Sequence, residues 1–159
     1  MNIHVLCVGT LREPHWRDAA DEYCKRLRKY CTLTIDDVKE ERAPERLSPA
    51  EEDKVKEKEG TALLRRLSPE SYAVALDLRG DALSSPELAE KLASLPHEGK
   101  SHVSFIIGGS LGLSEAVLAR ADLRLSFSRM TFPHQLMRIV LLEQIYRSFK
   151  ILRNETYHK

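Results

Sequence analysis

The chain has 159 residues, with 25 Lys and Arg against 24 Asp and Glu and a formal net charge of +1. That length suits a single domain over residues 1–159 with a real core, and so small a net charge excludes a protein that gathers nucleic acid by bulk electrostatics. Apolar residues make up 42 % and charged residues 31 %, an ordinary soluble balance, and no apolar run approaches the roughly 20 residues that span a bilayer.

Asn2–Val8 is a short apolar run closed by Gly9-Thr10. It lacks a basic start and a small-residue cleavage site, so it reads as a first strand and not as a signal peptide, and a cytoplasmic location is expected. Residues 16–28 predict a helix, because Ala19, Ala20, Tyr23, Cys24 and Leu27 recur at steps of three and four. Residues 33–38 predict a second strand, and the charged stretch 39–46, broken by Pro44, predicts a loop. Ser48 as cap, Pro49 in the first turn and Glu51 completing a capping box open the next helix, which runs through Leu63, Leu64 and Leu67. Its Glu/Lys-rich first half reads as a solvated face. Residues 71–78 predict a third strand, with a turn at Arg79-Gly80-Asp81 after it. Ser85-Pro86 starts a helix carrying Leu88, Leu92 and Leu95 on one face. Residues 103–107 predict a fourth strand, residues 114–120 a short helix capped by Ser114, and residues 123–127 a fifth strand. A loop through Arg129, Met130 and Thr131 leads to Pro133, which starts a last helix ending near Leu152. This alternation predicts an α/β fold, a mostly parallel sheet flanked by helices.

The last helix is apolar nearly all round, with Leu136, Met137, Ile139, Val140, Leu141, Leu142, Ile145, Tyr146 and Phe149. One stripe serves a one-sided surface helix. This breadth calls for burial on two sides, either within its own core or against a partner subunit. Cys7, Cys24 and Cys31 are odd in number and widely spaced, with neither CxxC nor zinc-ligand spacing. They are expected to be small buried hydrophobes, with no disulfide scaffold and no metal.

Two stretches are candidates for chemistry. Gly108-Gly109-Ser110-Leu111-Gly112 sits between a strand and a helix, where α/β proteins bring backbone against a ligand. Its spacing is neither GxGxxG nor a P-loop, and a plain turn accounts for it equally well. In the second stretch, Ser128, Arg129, Thr131 and His134 lie among Phe127, Met130 and Phe132. Apolar walls with a few orienting polar groups suit a flat heterocycle. Arg138 lies one helical turn beyond His134, so both can face one mouth; the plainer reading makes His134 a helix cap and Arg138 a surface cation. There is no GxSxG and no Cys–His pattern for nucleophilic catalysis, and Asp and Glu fall mostly on exposed helical faces.

Three separated motifs resemble the RlmH family: Val103-Ser104-Phe105-Ile106-Ile107 running into Gly108-Gly109-Ser110-Leu111-Gly112-Leu113, the stretch LSFSRMTFPHQLMR over residues 125–138, and the ending Tyr157-His158-Lys159. Val8-Gly9-Thr10 and Leu76 add to the likeness, which covers essentially the whole chain. The resemblance implies a SPOUT-type fold whose C-terminal part forms a trefoil knot, an exception to the rule against threaded chains. It implies S-adenosylmethionine as cofactor, with Leu76 and Gly108 on the adenosine side and Phe127, Ser128, Arg129, Met130, Thr131 and Phe132 wrapped around it. It implies a homodimer whose active sites lie at the interface, each completed by Tyr157 and His158 from the other chain's tail. The implied substrate is a pseudouridine of large-subunit (23S) ribosomal RNA, methylated at N3 on the assembled ribosome. On that reading His158 or a neighbour assists loss of the N3 proton, while Arg138 or His134 holds the base or a phosphate. Rival readings are a SPOUT enzyme acting on tRNA, which calls for an RNA-binding extension, and a non-catalytic nucleotide-binding module. A small dehydrogenase lacks its glycine spacing here.

Overall fold

A computed structural model of the chain describes residues 1–158; Lys159, the last residue of the tail motif, lies outside the described residues. Five strands, β1 (Asn2–Val8), β2 (Thr32–Val38), β3 (Tyr72–Ala82), β4 (His102–Ile107) and β5 (Leu123–Ser126), form one sheet in the order β2-β1-β4-β3-β5. Every pairing is parallel. Parallel neighbours need crossovers, and these run through α1 (Pro14–Leu27), α2 (Pro49–Arg66), α3 (Ser85–Ser94) and α4 (Glu115–Arg120); α5 (His134–Leu152) comes after the last strand.

The period-2 geometry of β1 explains the two layers. Ile3, Val5 and Cys7 pack with α1, α3 and α5 on one face, while Leu6 and Val8 pack with α2 and α4 on the other. A strand covered on both faces reads as a continuous apolar run, as β1 and β4 do. At the sheet edge β2 alternates exposed and half-buried residues over its first four positions and then runs inward to the buried Val38. The helix starts obey their caps. Ser48 and Glu51 form a reciprocal capping box, as the sequence predicts, and Ser84 with Glu87 forms another. The third helix starts at Ser85, as predicted, with Ser84 as its cap.

α5 packs between α1 and α3, and Leu141, Leu142, Ile145 and Phe149 enter the larger core. No residue from His134 to Ile151 is fully exposed, yet Leu136, Met137, Ile139 and Val140 all stay half-buried. Its own chain thus covers the inner side and flanks of this helix, and an apolar outer strip remains partly open.

One prediction is corrected. No turn separates a strand from Arg79-Gly80-Asp81; β3 continues to Ala82. Leu125 of β5 faces Leu76 and then, across a register shift, Asp81. The residues between bow out, held by the ion pair of Asp77 with Arg124. Gly80 is needed for close approach: a Cβ there would lie 2.5 Å from the backbone C and O of Arg124. Gly80→Ala should therefore push β3 from β5 and destabilise the protein by about 1–3 kcal/mol, read as a lower urea midpoint. An unchanged midpoint would show that the bulge can relax freely.

Candidate functional site at the carboxyl ends of the strands

Because every pairing is parallel, the strands release their chains at the same edge, where open α/β sheets bind ligands. The order β4-β3-β5 sets the loop after Ile107, the bulge after Leu76 and the loop after Ser126 side by side. The first of these is the glycine loop. Gly112 takes φ +88°, and its N–H donates to the Gly109 carbonyl at 3.1 Å. A Cβ at Gly108 would sit 2.8 Å from the backbone C and O of Gly112. The glycines thus let the loop close on itself tightly at the end of β4.

Leu76 is half-buried where β3 leaves its first pairing with β5. Residues 127–133 start half-buried at Phe127 and Ser128 and emerge fully at Arg129, Met130, Thr131 and Phe132. Two serines pin the root of this loop: Ser126 Oγ donates to the Ser128 carbonyl at 3.0 Å, and Ser128 Oγ accepts the Met130 N–H at 3.0 Å. Beyond that root Met130 is 72 % and Phe132 39 % exposed, a large apolar outlay for so short a segment. A tight glycine loop, a half-buried Leu76 and uncovered apolar side chains stand together here, the kind of surface a flat heterocycle can pack on.

The start of α5 lies elsewhere on the same edge. Arg138 is 4 % exposed. Its Nη2 donates to the Gly9 carbonyl at 2.7 Å, and its Nη1 lies 3.0 Å from Asp37 Oδ1. The surface-cation reading of Arg138 is therefore excluded. So is the helix-cap reading of His134: α5 is preceded by Pro133, and no side chain caps it. His134 instead points at the β1 exit, its Nε2 3.5 Å from where a Cβ of Gly9 would stand. His134 and Arg138 do meet at one place, the turn at Gly9 (φ +80°). Cys7 beneath it is buried, and burial pushes its thiol up to about 12 against the pull of Arg138, which suits a packing residue.

Next to this turn opens a cleft of about 1000 Å³ over the ends of β1 and β2, lined among others by Gly9, Thr10, Asp37, Glu40, Arg42 and Ser110. Under its wall lies a residue the sequence reading missed. Glu59 is 4 % exposed; its Oε1 accepts the Glu41 N–H at 3.0 Å, and its Oε2 has no hydrogen-bond partner. The run of Glu and Lys around it hid the one available signal, the helical spacing Val55-Glu59-Leu63 that aims it at the core.

The tail is not brought to this edge by its own chain. Tyr157 Oη donates to Glu143 Oε1 at 3.2 Å, and its ring lies 4.7 Å from the Arg147 guanidinium. Arg147 Nη1 is 3.3 Å from His158 Nδ1. Burial, with Tyr23 and Glu143 nearby, pushes the Tyr157 phenol up to about 12. These partners sit in the middle of α5. Arg147 is thirteen residues beyond His134, about 20 Å along the axis. Among the described residues no three His, Cys, Asp or Glu side chains gather into a metal site, and no helix is long and apolar enough to cross a membrane.

Burial raises the Glu59 carboxyl above its ordinary 4.5, and the Glu40 and Glu41 carboxylates add to the rise, against the hydrogen bond from the Glu41 backbone. A raised acid contributes its stability fully below the ordinary carboxyl range and loses it as pH climbs through the folded pKa. Glu59→Gln keeps the volume and the bond from Glu41. The variant should be the more stable protein at pH 7 to 8, with the difference shrinking towards pH 4. Melting temperatures across that range check this, and a gap that widens in acid would contradict it.

The chain matches the family model described as predicted SPOUT methyltransferase over residues 1–158. It is 55 % identical to ribosomal RNA large subunit methyltransferase H of Alkaliphilus oremlandii and 53 % identical to the protein of that name from Carboxydothermus hydrogenoformans, each over 100 % of both chains. Among solved structures it resembles a protein of Legionella pneumophila, described as a methyltransferase in complex with SAM, with a TM-score of 0.51 and 11 % identity over 96 % of this chain and 66 % of that one. A methylase-family protein of Neisseria gonorrhoeae gives a TM-score of 0.52 and 14 % identity, covering 91 % and 81 %. Those two likenesses establish the α/β fold, whereas the full-length sequence identities establish the lineage. The chain belongs to the SPOUT methyltransferase family and, within it, to the RlmH family.

Proposed function

We propose that this protein methylates N3 of a pseudouridine in large-subunit (23S) ribosomal RNA, using S-adenosylmethionine and acting on assembled ribosomes in the cytoplasm. The observation that carries the reading is identity above one half, without a gap in coverage, to relatives named for methylation of that RNA. A net charge of +1 agrees with it, since a ribosome supplies docking surface that a free RNA strand does not.

S-adenosylmethionine, when bound, supplies a methyl carbon on a sulfonium that departs with the C–S electron pair on sulfur. Gly108 and Leu76 are proposed to hold its adenosine, and Phe127, Ser128, Arg129, Met130, Thr131 and Phe132 to fold over it. Their own task is to exclude water and fix the donor in line with the acceptor nitrogen. The acceptor N3 carries a proton at neutral pH and has no free lone pair until that proton leaves. His158 is proposed to receive it, with Tyr157 orienting the tail, while His134 binds the base or a phosphate. Arg138, being buried and already engaged by Gly9 and Asp37, is proposed to act by holding that turn in place.

The same geometry supports a homodimer. Tyr157 and His158 lie far from the cofactor edge of their own chain, so a second chain is the natural source of a tail at each site. The half-buried strip Leu136, Met137 and Ile139 offers apolar surface for it. A trefoil knot is proposed from the path of the chain. After edge strand β5 it must pass the ends of β3 and β4 to bring His134 and Arg138 to Gly9 on β1.

The test is methyl transfer from radiolabelled S-adenosylmethionine to ribosomes, separated subunits, free ribosomal RNA and tRNA from cells lacking the enzyme. Label in large-subunit RNA of intact ribosomes is expected; label in tRNA would overturn the substrate. His158→Ala should lower turnover by about a hundredfold or more with cofactor Kd unchanged, and a full-speed variant would remove His158 from proton transfer. Deleting the last three residues should leave the melting temperature in place and abolish methylation.

A further inference from the structure

Four buried side-chain atoms of the described residues have no hydrogen-bond partner: Asp37 Oδ1, Glu59 Oε2, Gln135 Oε1 and Arg138 Nε. Asp37 Oδ1 has the Arg138 guanidinium beside it as an ion pair, without the alignment of a hydrogen bond. Such atoms are rare in folded proteins, because each costs its full desolvation. Three of them, those of Asp37, Glu59 and Arg138, share one neighbourhood. Asp37 lines the cleft over β1 and β2. Arg138 reaches Asp37 and the cleft residue Gly9. Glu59 holds the cleft residue Glu41 and lies 3.0 Å from the position of a Gly109 Cβ.

The rim of the same cleft carries Arg12, Lys39 and Arg42. All three are exposed, and none is among the ten ion pairs that the described residues form. The cleft mixes signs, with Asp37, Glu40 and Glu41 among its lining residues and the Arg138 guanidinium paired to Asp37 behind it. A uracil-type ring presents N–H donors and C=O acceptors in alternation around its edge, so acceptors and donors are both wanted. Its flanking phosphates want the cations. The cleft adjoins β4 through Ser110, and β4 also carries the glycine loop of the cofactor edge. Neighbouring strands are about 4.8 Å apart, so ligands over the two halves of the sheet edge meet beside His134.

We propose that this cleft is the acceptor pocket, taking the target nucleotide unstacked from its RNA hairpin, with Arg12, Lys39 and Arg42 gripping the phosphates on either side. The inference rests on the reading of the protein as an RNA methyltransferase. It adds where on this chain the acceptor sits and which residues hold its backbone. Enzymes that modify a base must take it out of the stack, and an open cleft with carboxylates at Asp37, Glu40 and Glu41 and cations at Arg12, Lys39 and Arg42 offers such a base both kinds of partner.

The experiment measures three quantities on full-length protein: Kd for S-adenosylmethionine, Kd for a pseudouridine-containing RNA hairpin at several salt concentrations, and methyl transfer to ribosomes. The variants are the triple Arg12→Ala/Lys39→Ala/Arg42→Ala and, separately, Thr10→Trp, which fills the cleft from an exposed position. Melting curves of both should match the parent. Hairpin affinity should fall at least tenfold in each, methyl transfer should fall with it, and cofactor Kd should stay within twofold. The triple variant should also lose about two from the slope of log K against log salt, at about 0.7 per phosphate contact to a single strand. Parental hairpin binding and methyl transfer in both variants would overturn the pocket. Loss of cofactor binding would overturn it too, by assigning the cleft to the donor. If the parent binds the hairpin yet methylates no ribosomal RNA, the functional reading fails while the hairpin affinities still decide the pocket.

Discussion

The arrangement depends on one buried cation. Arg138 crosses from the first turns of α5 to the Gly9 carbonyl and to Asp37, and so ties the last helix to the exits of β1 and β2. A guanidinium is costly to remove from water, and the cost is met only when charged or carbonyl acceptors stand close around it. Lysine has one point charge where two divergent N–H groups are used here. Core packing of Leu141, Leu142, Ile145 and Phe149 anchors the helix as a whole, and the Arg138 tie joins its first turns to Gly9 and Asp37.

Around that tie the sheet divides its labour. The ends of β4, β3 and β5 present glycine backbone, Leu76 and a loop rich in uncovered apolar side chains. The ends of β2 and β1 present charge and unsatisfied polar atoms. A parallel sheet makes this possible, because it delivers every loop to one edge, and its order decides which loops are neighbours. The bulge at residues 77–80 serves the first half: it carries β3 past the point where β5 would otherwise set its register.

Much of this is legible in the sequence. β1 can be read to the residue because Gly9-Thr10 ends an unbroken apolar run, and Ser48-Pro49-Ala50-Glu51 announces its helix through chemistry that is purely local. The turn expected at Arg79-Gly80-Asp81 fails because glycine has two uses, and only the tertiary partner Arg124 shows that close approach is the one employed. Arg138 and Glu59 show the deeper limit. A charge on an amphipathic pattern reads as solvated, and the groups that bury it, Gly9 and Asp37 in one case and Glu41 and Gly109 in the other, lie far away in sequence. The motif residues 125–138 are found by family likeness, whereas their spatial relation to Gly9 is not written in any local pattern.

α5 has a meaning beyond packing. It is a rigid rod with one functional claim at its start, His134 against Gly9, and another past its middle, where Glu143, Tyr146 and Arg147 seat the tail. Each residue added to a helix advances the rest of the rod by about 1.5 Å and rotates it by about 100°. A single insertion between these two points would swing the tail's seat a quarter turn away from the face it now occupies, whatever the inserted residue. The charged connection between β2 and α2 has no such spacing to keep, since length added there is absorbed by loop. Drift in chain length among relatives is therefore expected to collect in that connection, and the spacing from the histidine of the turn to the aromatic tail should behave as a fixed measure, a ruler built into the enzyme.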